Sequence, residues 1–219
     1  FGLKGMAAYR YHENELGADV KEIDDVTTKA LYFGITNANF NFNDHIDMLM
    51  EIGSAGVKCM QTLGDAHHKA FGTPVPVTVP QNKAEGKGIL VSGHNLDMLK
   101  KLLIATEGKN INIYTHSEML PAHGYPELHN FDHLKGNIGG AWHDQKKLFE
   151  KWGGTIIMNT NCIQTPTKNS TYLDRFYGYS IPGVEGIKKI LNDDFAEIIK
   201  QTQSLPDITG FDEDKTLET

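Results

Sequence analysis

The sequence predicts an α/β protein in which a helical bundle segment is followed by a Rossmann-like parallel-sheet domain. Two observations carry this. Apolar residues recur every three or four positions up to about residue 70, and beyond residue 80 short apolar runs alternate with helical stretches. Between these regimes lies Phe71-Gly72-Thr73-Pro74-Val75-Pro76-Val77-Thr78-Val79-Pro80, where three prolines in seven residues impose an extended path. The expected organisation is a helical domain over 1–80, an α/β domain over 81–205, and an acidic tail or linker over 206–219 that includes Phe211-Asp212-Glu213-Asp214-Lys215.

In the helical part, Leu3, Met6, Ala7 and Leu16 give a first helix closed by Gly17, and Ile23, Val26, Ala30 and Leu31 give a second. Asn43 or Asp44 is the expected cap of a third, whose apolar stripe is Ile46, Leu49, Met50, Gly53, Val57, Met60 and Leu63. Cys59 lies beside that stripe, where its simplest role is a small buried hydrophobe. Beyond the prolines, residues 88–93, 111–115 and 155–161 read as strands. Helices are expected through Leu96, Leu99, Leu102 and Leu103 to a stop at Gly108, from about Gly140 to Trp152, from Glu185 to Leu191, and from Asp193 to Gln203.

Bulk properties narrow the function classes. With 219 residues, 39% hydrophobic and 22% charged, the chain can bury a sizeable core. No apolar run approaches the roughly 20 residues of a membrane span. A net charge of −7 without a basic stripe argues against nucleic acid as a partner. Two cysteines make no disulfide framework, and a reducing cytoplasmic compartment is the default. No apolar signal segment stands at the N-terminus. The chain opens on Phe1, and Gly2-Leu3-Lys4-Gly5-Met6 reads as helix with no capping residue before it, so the sequence reads as a piece of a longer protein.

The chemistry sits where three strands end. The run 88–93 leads into His94, the run 111–115 into His116 and Glu118, and the run 155–161 into Cys162. In an open parallel sheet, sites form outside the carboxyl ends of the strands, so His94, Glu118 and Cys162 are expected in one crevice, within about 10 Å of each other. Imidazole, carboxylate and thiolate together point to a transition metal, iron above all, rather than magnesium or calcium.

Other motifs carry less. His116-Ser117-Glu118 matches half of a zinc deaminase signature, but no P-C-x-x-C follows. His129 and His133 are four apart in a polar stretch that reads as a solvated turn. Gly136, Gly139 and Gly140 do not make a dinucleotide fingerprint, and neither a phosphate-binding P-loop nor a G-x-S-x-G elbow occurs. The loop from Met119 to Pro126, with two prolines and a glycine at a strand end, has the character of a functional loop.

Val91-Ser92-Gly93-His94-Asn95-Leu96, Thr106-Glu107-Gly108, the segment from Tyr114 to Pro126, Gly139-Gly140-Ala141-Trp142 and Asn159-Thr160-Asn161-Cys162-Ile163 closely resemble the hybrid-cluster proteins, or hydroxylamine reductases. Gly2 to Tyr9 also looks like a helix of that family's N-terminal domain. The resemblance implies a cytoplasmic oxidoreductase that reduces hydroxylamine, or a related nitrogen oxide such as nitric oxide, with electrons from a donor protein. It implies a hybrid iron–sulfur–oxygen cluster with His94, Glu118 and Cys162 among its ligands, and a second iron–sulfur cluster held elsewhere in the intact enzyme.

On that reading this chain is the end of the helical domain plus the central α/β domain, and the N- and C-terminal parts of the enzyme are its partners. By itself it is expected to carry no complete cluster and to be inactive. Its crevice would be a shallow polar pocket rimmed by His94, His116, Glu118, Asn161 and Cys162, and an apolar face would be left exposed. Three alternatives stay open: a carbon monoxide dehydrogenase-like cluster domain, a mononuclear His–Glu–Cys metal site, and a non-catalytic ligand-binding or interaction fragment.

Overall fold

The computed structural model describes residues 1–18, 20–36, 38–159, 162–181 and 184–219. They form two compact units, Phe1–Thr73 and Pro74–Thr219. The division falls just ahead of the proline run, not after it at residue 80 as the sequence had indicated.

The first unit contains α1 (Gly2–Glu15), α2 (Lys21–Thr36) and α3 (Phe42–Phe71). α1 has no side-chain cap, as its sequence indicates, and Gly17 follows it at φ +73°. The cap of α3 is Asn41, not Asn43 or Asp44: its side chain accepts from the Asn43 backbone N–H at 3.0 Å, while Asp44 accepts from the amides of Asn39 and Asn41. Met6, Ile23, Ala55 and Cys59 form the core of the unit, with Leu3, Val20, Val26 and Ile52 packed against it.

Cys59 is fully buried, and burial together with the neighbouring Glu13 carboxylate pushes its thiol up to about 11. The stripe expected to face inward does not. Of its large side chains only Leu63 is buried; Ile46, Leu49, Met50, Val57 and Met60 are exposed, and α3 turns Met48, Ala55 and Cys59 inward in their place. Helical spacing detects both apolar faces of this long helix, and the choice between them belongs to α1 and α2, which pack on one side.

The second unit runs β1 (Thr78–Pro80), β2 (Lys87–Ser92), α4 (Leu96–Thr106), β3 (Ile111–His116), α5 (Pro126–His129), β4 (Leu134–Asn137), α6 (Gln145–Lys151), β5 (Thr155–Met158), β6 (Phe176–Tyr179), β7 (Lys188–Ile190), α7 (Ala196–Ser204) and β8 (Thr216–Glu218). Among the described residues, six strands form one sheet in the order β4-β3-β2-β5-β6-β7, with every pairing parallel. This is the α/β architecture that the alternation of strands and helices predicts. β2 lies at the centre, and Ile89, Leu90 and Val91 have no exposed surface, as a strand covered on both faces requires. Leu90, Tyr114, Phe149, Trp152, Ile156 and Tyr172 share one core cluster.

Several local readings change. The stretch 185–191 is not helix: Gly186, at φ +78°, makes a turn that feeds β7. The helix expected over 140–152 contracts to α6, and β4 and β6 join the sheet without having been foreseen. The stretch 206–219 is anchored rather than solvated. Ile208 is buried and its N–H donates to the Gly86 carbonyl at 2.9 Å, Phe211 packs on Trp152, and β8 pairs antiparallel with β1. One isoleucine and one aromatic ring outweigh the acidic composition, because burying each removes apolar surface from water. No helix among the described residues is long and apolar enough to cross a membrane.

Candidate metal centre

Strand register assembles the site. β2 and β3 pair with Ser92 opposite His116, and β2 and β5 pair with Ser92 opposite Met158. His94 and Glu118 each lie two residues past their register partners, so two adjacent strands deliver them to the same height. Cys162 lies four residues past Met158. Gly93, at φ +124°, turns the chain away from the sheet before His94, a backbone conformation that disfavours a side chain. Asn95 then starts α4, its side chain accepting from the Met98 N–H at 2.9 Å.

The three side chains converge. One ligand atom of each lies within 4.8 Å of the other two. His94 Nε2 hydrogen-bonds Glu118 Oε2, and Cys162 Sγ lies 3.6 Å from His94 Nε2 and 3.8 Å from Glu118 Oε2. The His94 and Glu118 side chains remain 43% and 58% exposed, so the cluster opens outward. The hydrogen bond from His94 holds the Glu118 carboxyl below its ordinary range, with a smaller contribution from His94's charge. Burial, and then the charge of Glu118, push the Cys162 thiol up. Cys162 therefore keeps its proton near neutrality. An imidazole nitrogen, a carboxylate and a polarisable sulfur at this spacing suit an iron-type ion, and a purely oxygen-seeking cation would leave the sulfur unused.

His116 does not join the rim. It is buried and turned inward, its Nδ1 2.9 Å from Ser92 Oγ and its ring edge-on to Phe149. Its Nε2 has no hydrogen-bond partner, and burial lowers the ring to about 4. Alternation along β3 explains the difference: His116 still belongs to the strand, whereas Ser117, at φ +53°, ends it and lets Glu118 emerge. Asn161 lies outside the described residues.

His129, at the end of α5, is exposed, but His133, in the turn that follows, is half-buried, and its Nε2 meets the Leu103 carbonyl at 3.1 Å and Thr106 Oγ1 at 3.0 Å. His123 in the strand-end loop is also buried, with Thr115 Oγ1 2.8 Å from its Nε2.

Sequence reasoning missed the residues that hold the ligands' backbones. Asn159 Oδ1 accepts from the N–H groups of His94 and Asn95 at 2.8 and 3.2 Å, and its Nδ2 donates to the Asn95 carbonyl at 3.3 Å. The Cys162 carbonyl accepts from Trp142 Nε1 at 2.6 Å and from Gln145 Nε2 at 3.0 Å. An asparagine directly after an apolar strand was the available signal, since a buried amide there must find partners.

Comparison with known proteins shows a likeness along nearly the whole chain. The sequence profile of the Prismane/CO dehydrogenase family matches residues 1–216. The chain is 44% identical over 208 residues to the hydroxylamine reductase of Thermotoga maritima, a match covering 95% of this chain and 48% of that protein. It is 46% identical over 205 residues to the hydroxylamine reductase of Moorella thermoacetica, covering 94% and 48%, and 38% identical over 219 residues to that of Methanothermobacter thermautotrophicus, covering 100% and 50%. The chain thus spans about half the length of these relatives. Among solved structures, the alpha subunit of an acetyl-CoA synthase/carbon monoxide dehydrogenase with nickel-containing [Fe4S4] clusters shares the fold, with a TM-score of 0.57 at 12% identity over 83% of this chain and 29% of that one. A profile match along nearly the whole chain, with the matching sheet beneath it, places this protein in the Prismane/CO dehydrogenase family.

Proposed function

We propose that this chain supplies three ligands, His94, Glu118 and Cys162, to a hybrid iron–sulfur–oxygen cluster in an oxidoreductase that reduces hydroxylamine or a related nitrogen oxide. One observation carries the reading: an imidazole nitrogen, a carboxylate oxygen and a thiol sulfur meet within 4.8 Å at three strand ends. Three donors do not complete such a cluster. Iron–sulfur clusters are typically held by four thiolates, and of the two cysteines here Cys59 is sealed in the helical unit. The remaining ligands, the second cluster and the docking site for an electron donor protein belong to other parts of the same enzyme.

Hydroxylamine reduction consumes two electrons and two protons per N–O bond broken and yields ammonia and water. The bound cluster supplies Lewis-acid stabilisation of the charge that develops as that bond breaks. The residues of this chain do the holding. Glu118 is kept ionised by its hydrogen bond from His94, so a hard anionic donor is available beside the imidazole. Cys162, held as a thiol here, would bind a metal as its thiolate, so binding at the sulfur would release a proton. The outward opening of the cluster leaves room for further ligands and for a small substrate on the exposed side.

The test is alanine substitution of His94, Glu118 and Cys162, singly, in the intact enzyme. Iron content by elemental analysis and the visible and electron paramagnetic resonance spectra are read beside hydroxylamine turnover. Each variant is expected to lose cluster occupancy or activity. Full iron content with unchanged spectra and turnover in all three would reject the assignment.

A further inference from the structure

We infer that Asn159 is the positioning residue of this centre: its side-chain amide fixes the His94 backbone to the end of β5, three residues before Cys162, and so sets the separation of imidazole and thiol. This rests on the ligand reading above. Asn159 is 1% exposed, yet every polar atom of its side chain is used. Its Oδ1 receives two backbone N–H groups, from His94 and Asn95, and its Nδ2 donates to the carbonyl of Asn95. Its own backbone N–H donates to the Ser92 carbonyl at 2.9 Å, extending the β2–β5 ladder by one rung. The segment 92–95 is therefore gripped at four points by one residue.

The chemistry of the partners selects this side chain. Two N–H groups need an acceptor with two lone pairs, and a carbonyl needs a donor. An amide offers both on one planar group. Leucine has the same size and would remove all three of these hydrogen bonds. Aspartate would keep both acceptor contacts and lose the donor.

The grip matters because the turn before His94 cannot hold itself. Gly93 has the freedom of a residue without a Cβ, and its φ of +124° is maintained by contacts outside it. On the other side, the Cys162 carbonyl is held by Trp142 and by buried Gln145, whose Oε1 also accepts from the Gln164 N–H at 2.8 Å. His94 and Cys162 are thus each anchored through the backbone, and their side chains converge with Glu118 at the candidate centre. Groups that orient metal ligands in this way are typically worth about 10- to 100-fold in metal affinity.

The experiment titrates Co2+ alone into the purified chain and follows the thiolate-to-metal charge-transfer band, with amide hydrogen exchange of His94 and Asn95 measured by NMR on the apo protein. Wild type, His94→Ala, Cys162→Ala, Asn159→Leu and Asn159→Asp are compared. His94→Ala and Cys162→Ala are expected to abolish the band. Asn159→Leu is expected to weaken Co2+ binding by about 10-fold or more and to lose protection at the two amides while the rest of the sheet keeps its own. Asn159→Asp is expected to keep that protection and to bind within about threefold of wild type, because both N–H acceptors remain.

Wild-type affinity in Asn159→Leu, or weakened binding with both amides still protected, overturns the positioning role while the ligand reading stands. If Asn159→Leu gives no cooperative melt, Asn159→Asp decides: protection and affinity kept supports the role, and loss of either overturns it. A wild-type chain without the band, or ligand variants that keep it, overturns the ligand reading and this inference together.

Discussion

Ser92 and His116 are register partners on β2 and β3, and their side chains meet as well, with Oγ 2.9 Å from Nδ1. The pair lies one layer beneath the candidate centre. Two residues further along each strand come His94 and Glu118, hydrogen-bonded to each other. The buried Ser92–His116 contact therefore lies directly under the exposed His94–Glu118 contact and fixes the height at which both strands let go of the sheet.

Ser92→Ala should destabilise the fold. His116 Nε2 already lacks a hydrogen-bond partner, and the substitution would remove the one at Nδ1, leaving the buried ring without a hydrogen-bond partner among the described residues. A buried polar group left unpaired costs about 1–3 kcal/mol. Urea denaturation followed by circular dichroism measures the loss. A midpoint equal to wild type would mean that the contact contributes nothing.

Ile208→Ala should be among the costly substitutions, although it lies in a stretch whose composition is that of a tail. Ile208 is 3% exposed and packs where Gly88 leaves space, since a Cβ on Gly88 would come within 2.3 Å of its Cδ1. Truncating a buried isoleucine to alanine typically costs about 2–5 kcal/mol. A loss below about 0.5 kcal/mol, the size of an ordinary surface effect, would show that residues 206–219 are not anchored in solution.

Acid should weaken the fold through His123. The ring is buried, and burial, with help from the charge of His129, lowers it from its ordinary 6.5 to about 4, against a smaller opposing contribution from a hydrogen bond to the Gly136 carbonyl. Because the folded state holds the neutral ring, the stabilisation is present above the unfolded value and is lost as pH falls through the folded one. The window runs from about 6.5 down to about 4 and is worth up to about 3 kcal/mol from this group. His116 adds a slope of the same sign. Stability measured between pH 7 and 4 should fall less steeply in His123→Gln than in wild type, and an identical slope in the two proteins would rule this account out.

Much of this was legible in the sequence. Strands that end in His94, Glu118 and Cys162 could be read one at a time, because an apolar run bounded by glycine or polar residues is a local signal. The change of period at Pro74–Pro80 marked where the helical unit gives way to the sheet, because proline restricts the backbone wherever it stands. Other features had no local signature. Ile46, Leu49 and Met50 carry the same spacing as a core stripe, and only the packing of α1 and α2 against the opposite face of α3 left them exposed. Lys188–Ile190 became a strand because β6 offers it a parallel ladder, and Ile208 found a pocket made by Gly88, 120 positions earlier in the chain. His116 and Glu118 are two residues apart and both are possible ligands by type, yet one is buried and the other open, because the strand's alternation ends between them at Ser117. Residue type and spacing determined which groups could do chemistry here. Which of them meet was decided by strand register and by long-range burial, which depend on contacts between segments that are far apart in the chain.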